Sequence, residues 1–159
     1  MAGYTIRDAT HADGDAWLAL WRALEGAQAS ARLFPLIPEA ETLALRQFIE
    51  AVDADDARVV VADEDGDLVG TATGWFERRE WSLDGVPIVD LSRVSVRADR
   101  RSAGVGTALV AAIEDWGRAR GASYLQAHMF TGNDEGLRFW ERRGFRPRYE
   151  ARVRPILPA

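Results

Sequence analysis

The residues best equipped for chemistry lie between 91 and 109. There Leu91-Ser92-Arg93-Val94-Ser95-Val96 reads as a strand, Arg100 and Arg101 follow, and Ser102-Ala103-Gly104-Val105-Gly106-Thr107 leads into an apolar helical run. Glycines at 104 and 106 let backbone N–H groups approach a ligand closely, and the start of a helix adds the positive end of its dipole. With the two flanking arginines, this makes an anion site of the kind a pyrophosphate fills. Any strand-to-helix turn can use two glycines for geometry alone, so the segment by itself leaves both readings open. The chain has no cysteine, hence no disulfide, no thiolate metal site and no catalytic thiol. Sulfur chemistry has to arrive on a cofactor. All 20 basic residues are arginine, which removes lysine as a nucleophile.

Two other features invite a chemical reading. Asp63-Glu64-Asp65-Gly66-Asp67 carries acids at alternate positions like a calcium loop, but Leu68 stands where such a loop needs glycine and no bidentate Glu follows at the required place. It reads as a solvated turn, and no metal is expected. Of the two histidines, His11 precedes a helix as a capping or surface residue, whereas His128 ends a strand and belongs to the one side-chain type that titrates near neutrality.

Composition narrows the classes. The 159 residues suit a single domain over 1–159, and 47% apolar with 28% charged residues is a globular balance. A net charge of −5 argues against nucleic acid, whose phosphates need a clustered positive surface, and favours cationic partners. No apolar run approaches the roughly 20 residues of a membrane helix, and the first residues lack the basic start and apolar centre of a signal peptide. The expectation is a cytoplasmic protein with no membrane contact.

Around the glycine turn, the chain must supply elements that position it. A short strand is expected at 4–7, then a helix over 12–27 with Thr10 and Asp13 as caps and an apolar face at Trp17, Leu18, Leu20, Trp21 and Leu24. A second helix follows over 38–52, after a loop from 32. Runs at 58–62 and 68–76 form a hairpin, and after a turn at Asp84-Gly85 a long strand covers 86–96. A helix over 107–120, a strand over 123–129, a helix over 133–143 and a final strand over 145–156 complete a mixed α/β order with a parallel crossover.

In this context the stretch from Val94 to Leu109 resembles the coenzyme A signature of GNAT acetyltransferases, (R/Q)-x-x-G-x-(G/A), with Arg101, Gly104 and Gly106 on the fixed positions. Asn133, Gly136, Phe139, Trp140, Gly144 and Phe145 resemble the family's downstream pattern N-x-x-A-x-x-(F/L)-Y-x-x-x-G-F. The resemblance implies the GNAT fold: a mixed central sheet of six to seven strands, flanked by about four helices, with a splay between the strands at 86–96 and 123–129. It implies acetyl-CoA as cofactor, with pantetheine against the backbone of Val94, Ser95 and Val96. It also implies a pyrophosphate on Arg101 and the amides of Ser102, Ala103, Gly104, Val105, Gly106 and Thr107, and Asn133 beside the pantetheine arm. An N–H near Val94 would donate to the thioester carbonyl, where negative charge grows.

An alkylamine is protonated at neutral pH and must lose a proton before it attacks. Asp90 is the first candidate base, because counting back from Gly104 places it where some GNAT enzymes carry a glutamate, and strand alternation gives it the parity of Ser92, Val94 and Val96. Glu77 and Glu80, near the end of the preceding strand, and His128 are the alternatives; each also has a structural reading as a surface acid or a packed histidine. The family's tyrosine acid is replaced by Trp140, whose indole cannot usefully give up a proton. Tyr124 and Tyr149 are candidate substitutes, and Trp140 is expected to pack on the cofactor.

In GNAT folds the acceptor pocket comes from the first two helices and their loop, here with Trp17, Trp21, Arg32, Phe34 and Pro35. The implied reaction is acetyl transfer to a primary amine of a polyamine- or aminoglycoside-like small molecule or of a peptide. A homodimer is compatible with this class. The rival is a GNAT-like domain that binds an acyl-CoA for regulation without turning it over, and Trp140 keeps it open.

Overall fold

The computed structural model describes residues 3–78, 85–154 and 156. In chain order the elements are β1 (Thr5–Asp8), α1 (Gly14–Ala27), α2 (Ala40–Asp53), β2 (Ala57–Glu64), β3 (Asp67–Arg78), β4 (Pro87–Val96), α3 (Val105–Ala119), β5 (Tyr124–Ala127) and α4 (Asp134–Arg142). The sheet order is β1-β2-β3-β4-β5, antiparallel throughout except for the β4–β5 pair, which is parallel because α3 carries the chain across.

Each face of the sheet has its own apolar layer. Alternation along β2 sends Val59 and Val61 toward α1 and α2, where Trp17 stacks on Phe48 at 4.8 Å, and sends Val60 and Ala62 toward α3, where Leu109 and Ile113 are fully buried. β1 is tied to both neighbours by one arginine. Arg7 donates to both carboxylate oxygens of Asp13 at 2.9 and 2.8 Å and to Asp63 Oδ2 at 2.8 Å, while the Thr10 backbone N–H donates to Asp13 Oδ2 at 2.7 Å. The expected capping pair Thr10–Asp13 therefore holds a short 3-10 turn, His11–Asp13, ahead of α1.

Three expectations need correction. The strand expected over 145–156 is absent among the described residues, so the sheet has five strands rather than six or seven. Pro147 can donate no ladder hydrogen bond, and alternate residues Tyr149 and Val153 stay 60% and 68% exposed, so the segment has no buried face to pin it. The helix expected from Thr107 starts earlier, at Val105, which puts Gly106 inside it. The parity assigned to Asp90 holds only as far as Ser92. Thr73 pairs with Ser92 but Thr71 pairs with Ser95, so Arg93 and Val94 together oppose Ala72. Arg93 takes the left-handed conformation, φ 50°, that this bulge requires. Asp90, Ser92 and Ser95 consequently face α1 and α2, with the Ser95 hydroxyl donating to the Leu20 carbonyl at 3.3 Å, whereas Val94 and Val96 pack into the layer under α3.

Candidate active site

The site begins where two strands stop pairing. The β4–β5 ladder runs from Ile88↔Tyr124 to Leu91↔Ala127 and ends there, while β4 continues to Val96, paired only with β3. The splay therefore lies beyond Leu91, between the bulged end of β4 and residues 128–129. Among the described residues no strand lies beside the main chain of Ser92 to Val96 on that side, the geometry in which an amide-bearing ligand can hydrogen-bond as a strand does.

The open edge leads to the N-terminus of α3. Gly104 is left-handed, φ 83°, and no side chain caps the helix, so its first-turn N–H groups retain the positive dipole end and their donors. Ser102, φ 64°, is left-handed too, and the turn Arg101–Gly104 is exposed. The two glycines have separate reasons. A Cβ on Gly104 would meet nothing closer than the Tyr4 hydroxyl at 3.8 Å, so this residue is needed for its φ; a Cβ on Gly106 would stand 2.9 Å from the Phe139 ring, so that residue is needed for the approach of α3 to α4.

Other expected cofactor residues have structural partners as well. Arg101 Nη1 donates to Glu135 Oε2 at 3.1 Å, an exposed pair bridging the glycine turn and the first turn of α4. Asn133 caps α4, its Oδ1 accepting the Gly136 N–H at 3.0 Å. Trp140 is buried, edge-on to Phe139 and Phe145 at 4.9 and 4.8 Å, so its main packing is the core, though it also lines the groove described below. A cation that the sequence reading passed over stands at the same turn: Arg143 donates to Thr107 Oγ1 and lies over the Phe139 ring at 3.6 Å. Burial pushes its guanidinium below the ordinary arginine value, with Arg142 acting in the same direction. In sequence it is one of a pair in Glu141-Arg142-Arg143 and reads as helix surface.

Three candidate proton-handling groups converge at the end of β5. Asp90 and Gln126 are register partners across the parallel pair, and Gln126 Nε2 donates to Asp90 Oδ2 at 3.1 Å. His128 Nε2 lies 3.2 Å from the same oxygen and 2.9 Å from Gln126 Nε2, and its Nδ1 is 3.2 Å from the Tyr149 hydroxyl. With the proton on Nε2, the ring donates to Asp90 and accepts from Tyr149; with the proton on Nδ1, it donates to Tyr149 and accepts from the Gln126 amide. Asp90 is mostly covered, its side chain 16% exposed, and His128 opens to solvent at 56%. Sequence reading found Asp90, His128 and Tyr149 separately but missed Gln126, whose role follows from strand register. Glu77 shares the sheet face of Asp90, since Glu77 pairs with Ile88 and Trp75 with Asp90. Glu80 lies outside the described residues.

An open groove of about 2140 Å³ runs over this cluster. It is lined by Leu33 and Phe34 from the α1–α2 loop, by Gln126 and His128, and by Trp140 and Tyr149. Arg32, which also lines it, is fastened to the Glu25 carbonyl at 2.8 Å and to its carboxylate. Trp17 and Trp21, which at i, i+4 read as core as readily as acceptor pocket, are 1% and 6% exposed in the α1–α2 layer, and Trp21 also lines a smaller cavity of about 420 Å³ with Arg32, Leu36 and Pro38. Among the described residues there is no group of three or more potential metal ligands and no helix long and apolar enough to cross a membrane.

A five-stranded mixed sheet with a parallel β4–β5 splay, a glycine turn on an uncapped helix and a groove across the splay is the arrangement of the GNAT fold. The match to the Acetyltransferase (GNAT) family over residues 18–145 is decisive, and the chain belongs to that family. Solved structures agree on the fold. A transcriptional regulator from Bacillus halodurans C-125 superposes with a TM-score of 0.77 at 22% identity, covering 96% of this chain and 99% of the other. AAC(6')-Iy, in complex with the bisubstrate analogue CoA-S-monomethyl-acetylneamine, gives 0.74 at 20% identity over 98% and 99%. Glucosamine-6-phosphate N-acetyltransferase from Arabidopsis thaliana gives 0.71 at 17% over 96% and 97%. No curated protein matches the sequence.

Proposed function

We propose that the chain is a single-domain N-acetyltransferase that moves an acetyl group from acetyl-CoA to a primary amine of a small molecule, polyamine- or aminoglycoside-like, or of a peptide. The observation that carries this reading is the continuity of the open β4 edge, Ser92 to Val96, with the uncapped first turn of α3. Both parts fit coenzyme A: the edge suits the amides of a pantetheine arm, and the turn at Ser102 to Thr107, with Arg101 and Arg143 beside it, suits a pyrophosphate. The cofactor supplies an acyl group activated as a thioester.

The chain's own residues handle the proton and the charge. Asp90, backed by Gln126 and His128 at the mouth of the splay, accepts a proton from the acceptor ammonium directly or through water. A β4 N–H at the bulge donates to the oxygen on which charge grows as the new C–N bond forms and the C–S bond breaks. Trp140 donates no proton, so the sulfur leaves as thiolate or is protonated by water; its conjugate acid, near pKa 8.5, makes it a better leaving group than an amine near 10.

The testing experiment is an acceptor panel of polyamines, aminoglycosides, amino acids and peptides with acetyl-CoA, read as amine-stimulated release of coenzyme A. Release with one acceptor class supports the enzyme. Tight acetyl-CoA binding with no release from any amine supports the second reading, a regulatory acyl-CoA-binding domain, which Trp140 at the family's tyrosine position favours.

A further inference from the structure

The bulge that opens β4 also builds a cluster of donors with almost nothing to donate to. Arg93, left-handed and half-buried, turns its guanidinium toward the α1–α2 side, 6.0 Å from the Trp17 ring centroid, and Nη2 donates to the neutral side chain of Gln47. Among the described residues no carboxylate comes within ion-pairing distance of it. The acid whose charge it senses, Glu25, is held by Arg32. Beside this guanidinium, which has only a neutral acceptor, two buried donors have no partner: the indole N–H of Trp17, a residue 1% exposed, and the hydroxyl of Ser92, the residue preceding Arg93.

Arginine and indole nitrogens are donors only, and a buried donor without an acceptor is rare enough in folded proteins to need a cause. Here two of them accompany a guanidinium whose acceptor is a neutral amide oxygen. A ligand acceptor carrying negative charge would satisfy guanidinium, indole and hydroxyl together, as charge-assisted hydrogen bonds are the strong ones. The cluster also stands in a fixed relation to the proposed base. Asp90 lies on the same strand and the same sheet face, three residues away, which at about 3.3 Å per residue is roughly 10 Å or less.

Building on the acetyltransferase reading, we propose that the acceptor is an amine bearing an oxyanion, a carboxylate or a phosphate, with its nitrogen at Asp90 and its anionic group on Arg93, Ser92 and Trp17. This argues against purely cationic polyamines and aminoglycosides as the preferred acceptors. It also gives a residue as costly as a left-handed arginine a reason to stand at the bulge.

The test compares matched acceptors that differ only in the anion: amino acids against their carboxamides, and glucosamine-6-phosphate against glucosamine, with kcat/KM measured for the parent, R93M, R93K and S92A. The parent is expected to prefer the anionic member of at least one pair, and R93M to lower that preference ratio about 100-fold, the order expected when one partner of a desolvated charge pair is removed. R93K should keep part of the preference, and S92A, which removes only an unpartnered hydroxyl and should fold normally, should lower it about tenfold. A parent that acetylates neutral and anionic members equally, or an S92A and a folded R93M that both keep the parent ratio, would overturn the proposal. If no amine is acetylated, the acetyltransferase reading fails by itself. Calorimetry on the coenzyme A-saturated protein then decides the anion site: binding of glucosamine-6-phosphate or an amino acid that is lost in R93M supports it, and no binding to the parent by either probe rejects it.

Discussion

The Asp90 carboxylate lies 3.2 Å from His128 Nε2, across the point where β4 and β5 part. That contact joins an acid on one strand to a histidine just past the end of the other, and Tyr149 holds the far nitrogen of the ring. If Asp90 takes the amine proton, Asp90→Asn should cost on the order of 10²-fold in kcat near neutral pH, with partial recovery as pH rises and more free amine is available. The Kd for acetyl-CoA should hardly change. His128→Gln should give a smaller loss with the same pH trend, because it removes a partner of the base rather than the base. A pH–rate profile of Asp90→Asn that overlays the parent would reject the role and direct attention to Glu77 and Glu80.

The different duties of Gly104 and Gly106 lead to separable phenotypes. Gly104→Ala forces a left-handed conformation on a residue with a Cβ, a cost of about 1–2 kcal/mol, but clashes with no neighbour. It should unfold at slightly lower denaturant and raise the KM for acetyl-CoA by disturbing the amide turn. Gly106→Ala keeps helical φ but drives a methyl group against Phe139. It should lower stability by about 1–3 kcal/mol through overpacking with a smaller effect on KM relative to the stability lost. Equal KM for parent and a folded Gly104→Ala would remove the pyrophosphate from this turn.

Much of the fold was legible because its signals are local: the Asp63–Asp67 turn between two β-branched runs, and the helical spacing of Leu109, Ile113 and Trp116. Three features were not, each for a physical reason. From Val89 to Val96 the apolar residues change parity, Val89 and Leu91 before Ser92-Arg93 and Val94 and Val96 after it, but two polar residues in a row are common in strands and arginine carries no preference for φ above zero, so the slip alone does not mark the bulge that turns Val94 and Val96 to the opposite face from Asp90. The tail from Phe145 alternates charged and apolar residues like an edge strand, but whether it pairs depends on a buried face the sequence cannot display. Gln126 and Arg143 gain meaning only from residues 36 positions away, Asp90 and Thr107 respectively.

Trp140 illustrates how packing constrains a tempting repair. Restoring the family's tyrosine by Trp140→Tyr leaves part of the space between Phe139 and Phe145 unfilled and brings a hydroxyl into a largely apolar layer. Stability should fall by about 1–3 kcal/mol, seen as a lower Tm. Because the indole is buried as core, kcat should not rise; a clear increase would mean that leaving-group protonation limits the parent and that the phenol reaches the sulfur.

The Arg7–Asp13 pair should set the acid limit of stability. The Arg7 guanidinium, aided by hydrogen bonds from Thr10, outweighs burial and holds the Asp13 carboxyl at about 2, against an ordinary value of 3.8. A carboxyl whose pKa is depressed by folding binds protons more readily in the unfolded chain, so its contribution is present above the unfolded value and is lost as pH falls through the folded one. The window is therefore pH 4 to 2. With Asp13 only 11% exposed but Arg7 36% exposed, the contribution is discounted for solvent screening to about 1–2 kcal/mol. Urea unfolding should show the parent losing that amount between pH 4 and 2. Asp13→Asn should already be destabilised at pH 7 by at least as much, since it strips Arg7 of the one carboxylate it binds through both oxygens, and should lose less than the parent over the same acid range. Parallel curves for the two proteins from pH 4 to 2 would show that some other carboxyl governs acid unfolding.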